Sequence, residues 1–254
     1  MKRLIYGVLV LAATVTLTTA ATEKELPTED SLMTDKGPLV IHPIEHATAV
    51  LEWDGRTIYL DPVGGVDPFE SFGRPDLILI TDIHGDHLSA DTVRAVSAEK
   101  TKVVAPAAVA NELPEADRDR VRVLDNGETL IWEGVEIEAI PMYNLTEERQ
   151  RFHPKGRGNG YVLTLGGKRL YISGDTEDIP EMRSLENIDA AFVCMNLPYT
   201  MEVDAAADAV LAFRPKIIYP YHYRGKGGMS DVEKFRSIVD GRDRDIEVRQ
   251  LKWY

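Results

Sequence analysis

The chain has 254 residues, enough for one large domain or two small ones, and its 44% hydrophobic and 28% charged content is ordinary for a globular protein. Its formal charge is -13, and removing Lys2 and Arg3 takes it to -15, which argues against nucleic acid or an anionic membrane as partner and points to a small-molecule substrate. A single cysteine, Cys194, excludes an intrachain disulfide, so core packing and bound ions must stabilise the fold.

In chain order, Lys2 and Arg3 precede an apolar run over 4–17 that ends in Thr18-Thr19-Ala20-Ala21. That layout predicts a secretory signal over 1–21 and export to a bacterial periplasm or the medium, with no stable membrane anchor once it is removed. No cysteine lies near the cut, which argues against a lipoprotein. Residues 22–37 are polar, charged and aperiodic, and read as a flexible linker, so the domain is expected over 38–254.

Three X-Gly turns, Asp54-Gly55, Glu133-Gly134 and Gly166-Gly167, sit inside extended segments and predict hairpins, because glycine accepts the positive φ that such turns require. Apolar runs over 77–81, 102–105, 190–195 and 216–219 read as single buried strands. Helices are expected over 90–99 after Ser89, over 203–213 before Arg214-Pro215, and over 232–239 after a Ser230/Glu233 capping box, with Gly241 beyond its end. Hairpins followed by strand-helix alternation, without internal repeats, indicate one layered α/β domain with mixed sheets.

The densest signal is Asp82-Ile83-His84-Gly85-Asp86-His87, directly after the apolar strand 76–81. Carboxylate oxygen and imidazole nitrogen together suit zinc, manganese or iron, and a strand end gives such a loop a rigid base. Three other segments have the same character: Tyr171-Ile172-Ser173-Gly174-Asp175-Thr176 ends a strand in a carboxylate, Ile217 to His222 ends one in an imidazole, and Asn144 and His153 follow the extended stretch near Met142.

This order of motifs resembles the metallo-β-lactamase superfamily over roughly residues 40–225, and within it the metal-dependent hydrolases grouped with ascorbate-phosphate lactonases and N-acylphosphatidylethanolamine phospholipases. The resemblance implies a four-layer αββα sandwich of two mixed sheets flanked by helices. It also implies one or two divalent ions, zinc first with manganese or iron as alternatives. Asp82 and His84 would hold the first ion, Asp86, His87 and His222 the second, and Asp175 would bridge them. The third ligand of the first ion is open between Asn144 and His153, because the family has His where this chain reads Met142-Tyr143-Asn144.

A second departure is Asp82 itself, which stands where the family's HxHxDH opens with His. A carboxylate there makes the first position harder and more anionic, shifting preference from zinc toward manganese or iron. Two bridged ions would be about 3.5 to 4 Å apart and would activate a water for attack, with Asp86 orienting it and passing its proton to the leaving group.

Weaker candidates surround this set. His46 resembles a family His near the centre but also reads as a satisfied turn residue. Asp61, before Pro62, is a candidate for orienting a ligating His, or a plain turn carboxylate. Lys155 and Arg157 offer charge to an anionic substrate, or belong to a solvated glycine loop. Tyr199, Tyr221 and Tyr223 are candidate pocket aromatics or core. The expected activity is hydrolysis of a lactone, phosphodiester or amide; the alternatives are a non-catalytic metal-binding protein or a di-iron oxidoreductase on the same fold.

Overall fold

The computed structural model describes residues 25–254, so the expected signal over 1–21 lies outside the described residues. Among those described, no helix is long and apolar enough to cross a membrane.

The first sheet holds β1 (Asp30–Thr34), β2 (Gly37–Glu45), β3 (Thr48–Trp53), β4 (Arg56–Leu60), β5 (Leu77–Leu79), β6 (Lys102–Ala105) and β7 (Val121–Val123) in chain order. Its pairs are antiparallel up to β4 and parallel from β4 to β7. The second runs β16-β13-β12-β11-β10-β9-β8, built from β8 (Thr129–Trp132), β9 (Val135–Met142), β10 (Gly158–Leu165), β11 (Lys168–Ile172), β12 (Ala190–Cys194), β13 (Ile217–Tyr221) and β16 (Glu247–Val248). Here β8 to β11 pair antiparallel, and β11, β12, β13 and β16 pair parallel. A small ribbon of β14 (Arg224–Gly225) and β15 (Gly228–Met229) stands apart. The helices are α1 (Ala90–Val96), α2 (Ala107–Glu112), α3 (Glu115–Arg118), α4 (Glu147–Gln150), α5 (Pro180–Arg183), α6 (Val203–Phe213) and α7 (Val232–Arg242).

The layering follows from strands buried on both faces. In β3, β4 and β5, Leu51, Ile58, Leu77 and Leu79 join the core between the sheets, while Val50, Tyr59 and Ile78 face α1 and α2 through Val93, Val96, Val109 and Leu113. The period of two therefore hides inside continuous apolar runs. Ala206, Val210 and Phe213 of α6 and Phe235 and Val239 of α7 continue the core on the second sheet. The expected αββα sandwich is the fold that forms.

The three X-Gly turns close β3–β4, β8–β9 and β10–β11. Three local expectations differ. The helix expected over 90–99 ends at Val96, with Ser97 as its extended C-cap. Residues 30–34, expected within the linker, form β1, whose register pairs Asp30 with Ile41 and Thr34 with Gly37. Two of its three inward positions are polar, Asp30 and Thr34, and the apolar Met33 points outward, so the sequence shows no apolar alternation; Trp53 Nε1 donates to Thr34 Oγ1 at 2.9 Å, and Asp30 accepts from Tyr219 Oη at 2.8 Å. The domain thus starts before residue 38. The cap of α7 is Asp231, which accepts from Lys234 N at 2.8 Å, in place of Ser230, whose hydroxyl donates to Met195 O; Gly241 lies inside the helix.

Parallel strands place the functional residues. Asp61 follows β4, the Asp82–His87 loop follows β5, Asp175 follows β11, and His222 follows β13, all at carboxyl ends of parallel strands, where open α/β sheets bind ligands. The two sheets are tied there: Asn159 N donates to Thr81 O at 2.9 Å and Tyr161 Oη to Ile80 O at 2.8 Å. Gly158 permits this closeness, since a Cβ there would lie 2.9 Å from Thr81 O; within the second sheet, a Cβ on Gly160 would lie 2.8 Å from both Ile172 O and Ser173 O.

Gly160→Ala is accordingly expected to destabilise by about 1–3 kcal/mol in urea denaturation, as backbone atoms must shift. Gly241→Ala, which meets nothing within 4 Å in a helix, is expected to stabilise by about 0.4–1 kcal/mol in the same assay.

Candidate metal centre

The loop after β5 turns Asp82, His84, Asp86 and His87 toward the seam between the sheets. The positive φ of Gly174 (61°) lets the chain after β11 bend Asp175 into the same volume. Three non-glycine residues here also hold left-handed backbones: His46 (φ 51°), Asp61 (φ 42°) and His222 (φ 44°). Such conformations each cost on the order of 1–3 kcal/mol and persist where surrounding contacts over-determine them.

The deepest group is His87, Asp175 and His222, all buried, with donor atoms within 4.8 Å of one another. His87 Nε2 is 3.2 Å from His222 Nε2 and 3.5 Å from Asp175 Oδ2, and Asp175 Oδ1 is 3.4 Å from His222 Nε2. Behind His87, Asp61 Oδ2 sits 2.8 Å from Nδ1 and accepts from Thr81 Oγ1 at 2.6 Å, and Asp61 Oδ1 accepts from Thr81 N at 2.7 Å. Donating Nδ1–H to Asp61 leaves Nε2 as a lone pair aimed at the cluster. Asp86 lies at its mouth, 3.3 Å from His222 Nε2 and 4.0 Å from His87 Nε2, with a 40% exposed side chain.

A second group holds Asp82, His84 and His153. His84 Nδ1 is 2.8 Å from Asp82 Oδ2, and His153 Nε2 is 3.9 Å from that atom and 3.2 Å from Asp175 Oδ2, so Asp175 of the first group also touches the second. Asn144 stands behind His153: its Nδ2 donates to Tyr199 O at 2.7 Å and Arg149 O at 2.9 Å and lies 3.1 Å from His153 Nδ1. The imidazole therefore reaches the cluster, and the amide nitrogen steadies it.

The electrostatics call for positive charge. Burial opposes ionisation of Asp175, yet His222 and His87 hold its carboxyl well below the usual range. Burial likewise opposes a charge on His87, but Asp175 and Asp61 raise its pKa well above that of free imidazole. Asp86, despite burial, is held low by its hydrogen bond from His222 and by the charge of His87. His153 Nε2 and Asp175 Oδ1 are buried and lack a hydrogen-bond partner. Lone pairs from imidazole and carboxylate converging without donors suit a divalent cation, and the donor set fits one.

Asp82 carries an unexpected partner. Arg157 donates from Nε to Oδ1 at 3.0 Å and from Nη2 to Oδ2 at 2.8 Å, a two-bond fork. The Asp82 carboxyl, which burial would raise, is held low by the hydrogen bond of His84 and by the charges of His87, His84 and Arg157. The extra negative charge expected from Asp in this place is therefore offset by a fixed cation.

The model of the beta-lactamase superfamily domain matches residues 40–222. The chain belongs to this superfamily. A metal-dependent hydrolase of the UPF0173 group from Thermus thermophilus is 32% identical over 213 residues, covering 81% of this chain and 92% of the relative. Another from Pyrococcus abyssi is 28% identical, covering 80% and 93%. A solved protein of Parabacteroides distasonis, provisionally described as a metal-dependent hydrolase, is 40% identical with a TM-score of 0.79 and covers 89% of this chain and 99% of that one. The chain is thus a metal-dependent hydrolase.

In the hydrolase, a cavity of about 310 Å³ opens over the centre, lined by His84, Asp86, His153 and Asp175 together with Phe152, Asn196 and Tyr199. Tyr199 and Phe152 pack edge to face with centroids 5.2 Å apart. His46 lies beside the cluster, but its Nε2 accepts from Arg224 Nη2 at 2.6 Å and its Nδ1 is 3.3 Å from Tyr254 Oη. Burial, His222 and Arg224 lower its pKa. Lys155 is not brought to the site: its Nζ pairs with Glu181 at 2.7 Å and lies 4.4 Å above the Tyr143 ring, so it offers no charge to substrate. Tyr221 is fully buried core, tilted against Phe192 and edge-on to Trp253, and Tyr223 packs against Tyr254.

Asn196 is the residue that sequence reasoning passes over. Its signal is the same strand-end position after β12 that marks the other site residues. Thr200 Oγ1 donates to its Oδ1 at 2.5 Å, which points Nδ2 to within 3.3 Å of His222 Nε2 and 3.4 Å of Asp175 Oδ2.

Asp61→Ala is expected to weaken metal binding about 10–100-fold in a competitive chelator titration, because His87 loses the partner that orients it. Metal retention should also fall as pH is lowered, since protons compete for the His87 lone pair; elemental analysis after dialysis over a pH series checks this.

Proposed function

We propose that the hydrolase cleaves an ester, lactone or amide bond in a small uncharged substrate, and that Asp86, His87, Asp175 and His222 hold one ion, with Asp82, His84 and His153 offering a second position. The observation that carries this reading is the lining of the cavity. Phe152 and Tyr199 give it aromatic surface, and its residues include neither Lys nor Arg. Lys155 is paired with Glu181, and both edges of Asp82 engage Arg157. Beyond the ion itself, a phosphodiester would find no side-chain cation free to meet its charge there.

A divalent ion held by these residues supplies Lewis acidity and lowers the pKa of water toward about 7, with zinc as the leading candidate and manganese or iron as alternatives. Asp86, ionised and at the cavity mouth, is placed to accept the proton of the attacking water at a carboxylate oxygen and return it to the leaving group. Asn196 Nδ2, fixed by Thr200, is placed to donate to the oxygen that gains charge. Phe152 and Tyr199 limit water around the reacting bond. The signal-like segment of the sequence supports action outside the cytoplasm.

Steady-state assays of metal-replete protein on aryl esters, lactones, amides and phosphodiesters are expected to find turnover among the first three classes. Turnover confined to phosphodiesters would sink the substrate assignment. Asp86→Asn is expected to lower kcat by about 10²- to 10⁴-fold. Asn196→Ala is expected to lower kcat by about 10²-fold or more, leaving KM nearly unchanged, in the same assays.

A further inference from the structure

We propose that Arg157 competes with the metal for Asp82, so that the centre loads in two unequal steps: first at His87, Asp175, His222 and Asp86, then far more weakly at Asp82, His84 and His153. This rests on the metal-centre reading above.

The two positions differ in what stands behind their ligands. His87 is backed by the carboxylate of Asp61, which fixes its tautomer. Among the described residues, Asp175 and Asp86 have histidines as their only ion-pair partners, so their charge is free for a cation. Asp82 is fully buried, and both of its oxygens already accept from the Arg157 fork.

Arg157 is held independently of Asp82. Its Nη2 also donates to Phe152 O, and that same nitrogen lies 3.4 Å from His84 Nε2. The guanidinium therefore touches two of the three ligands of the outer position. An ion entering there must surrender or share the Asp82 oxygens with a cation that cannot be deprotonated and stays within a few ångströms. His84, with a 37% exposed side chain and Nδ1 turned to Asp82 Oδ2, adds a looser ligand than His87.

The test is cobalt titration of metal-free protein, followed by isothermal calorimetry and visible absorption, with bound metal counted after gel filtration. Wild type is expected to keep one ion per chain through gel filtration and to bind a second at least about tenfold more weakly. In Arg157→Gln the second step should tighten at least about tenfold, and two ions should survive gel filtration. Arg157→Lys, which keeps the charge but loses the fork, should fall between them and stands in if the Gln variant does not fold. Equal affinity for two ions in wild type, or an unchanged second step in the variants, would overturn the proposal. Failure of wild type to bind any ion would overturn the metal-centre reading itself.

Discussion

The structure is organised around a charge problem at the seam of its two sheets. His87, Asp175, His222 and His153 are almost fully buried, and their lone pairs face one another at 3.2 to 3.5 Å. Acceptors that close are unfavourable unless protons or a cation lie among them, and burial makes the penalty larger than it would be in water. The raised pKa of His87 and the lowered one of Asp175 express the same demand from both sides. A divalent ion answers it more fully than protons do, because it coordinates several lone pairs at once.

That arrangement holds because the sheets, rather than the loops, fix its geometry. Each ligand-bearing turn leaves the carboxyl end of a parallel strand, and the contacts of Asn159 with Thr81 and of Tyr161 with Ile80 lock the two sheets at the seam. Thr81 is doubly used: its carbonyl joins the second sheet, while its amide and hydroxyl both donate to Asp61, which orients His87. The left-handed backbones of His46, Asp61 and His222 are tolerated because this framework leaves them no alternative. The amide of His222 even donates to His46 O at 3.2 Å, so two strained residues hold each other.

Much of this was legible in the chain because strand ends leave a sharp trace: an apolar run, then a polar side chain able to bind metal. Asp82 to His87, Asp175 and His222 all carry it. His153 does not, since it comes from a loop after α4, and only the contacts of Asn144 with that loop show why the imidazole reaches the centre. The edge strand β1 is masked because two of its inward positions, Asp30 and Thr34, are polar while Met33 points outward. Lys155 and Arg157 are two residues apart in one glycine loop, yet the first turns outward to Glu181 and the second inward to Asp82. Spacing along a loop fixes no direction, whereas spacing along a strand does.

Asp82 shows how a substitution read alone misleads. Imidazole in its place would be a neutral ligand; carboxylate adds a negative charge, which by itself favours a harder and tighter site. The fork from Arg157 cancels that charge, so the pair together is as neutral as the histidine it replaces. The pair is not equivalent to imidazole, however. Its positive end remains fixed against Asp82 and His84, and an entering cation meets that charge. The same fork also removes Arg157 from the cavity as a partner for anions, so one interaction bears on both metal loading and the charge of the substrate. A centre built this way carries its firmest cation site on the side of Asp61 and His87, and presents to the cavity a wall of aromatic rings and ionised carboxylate.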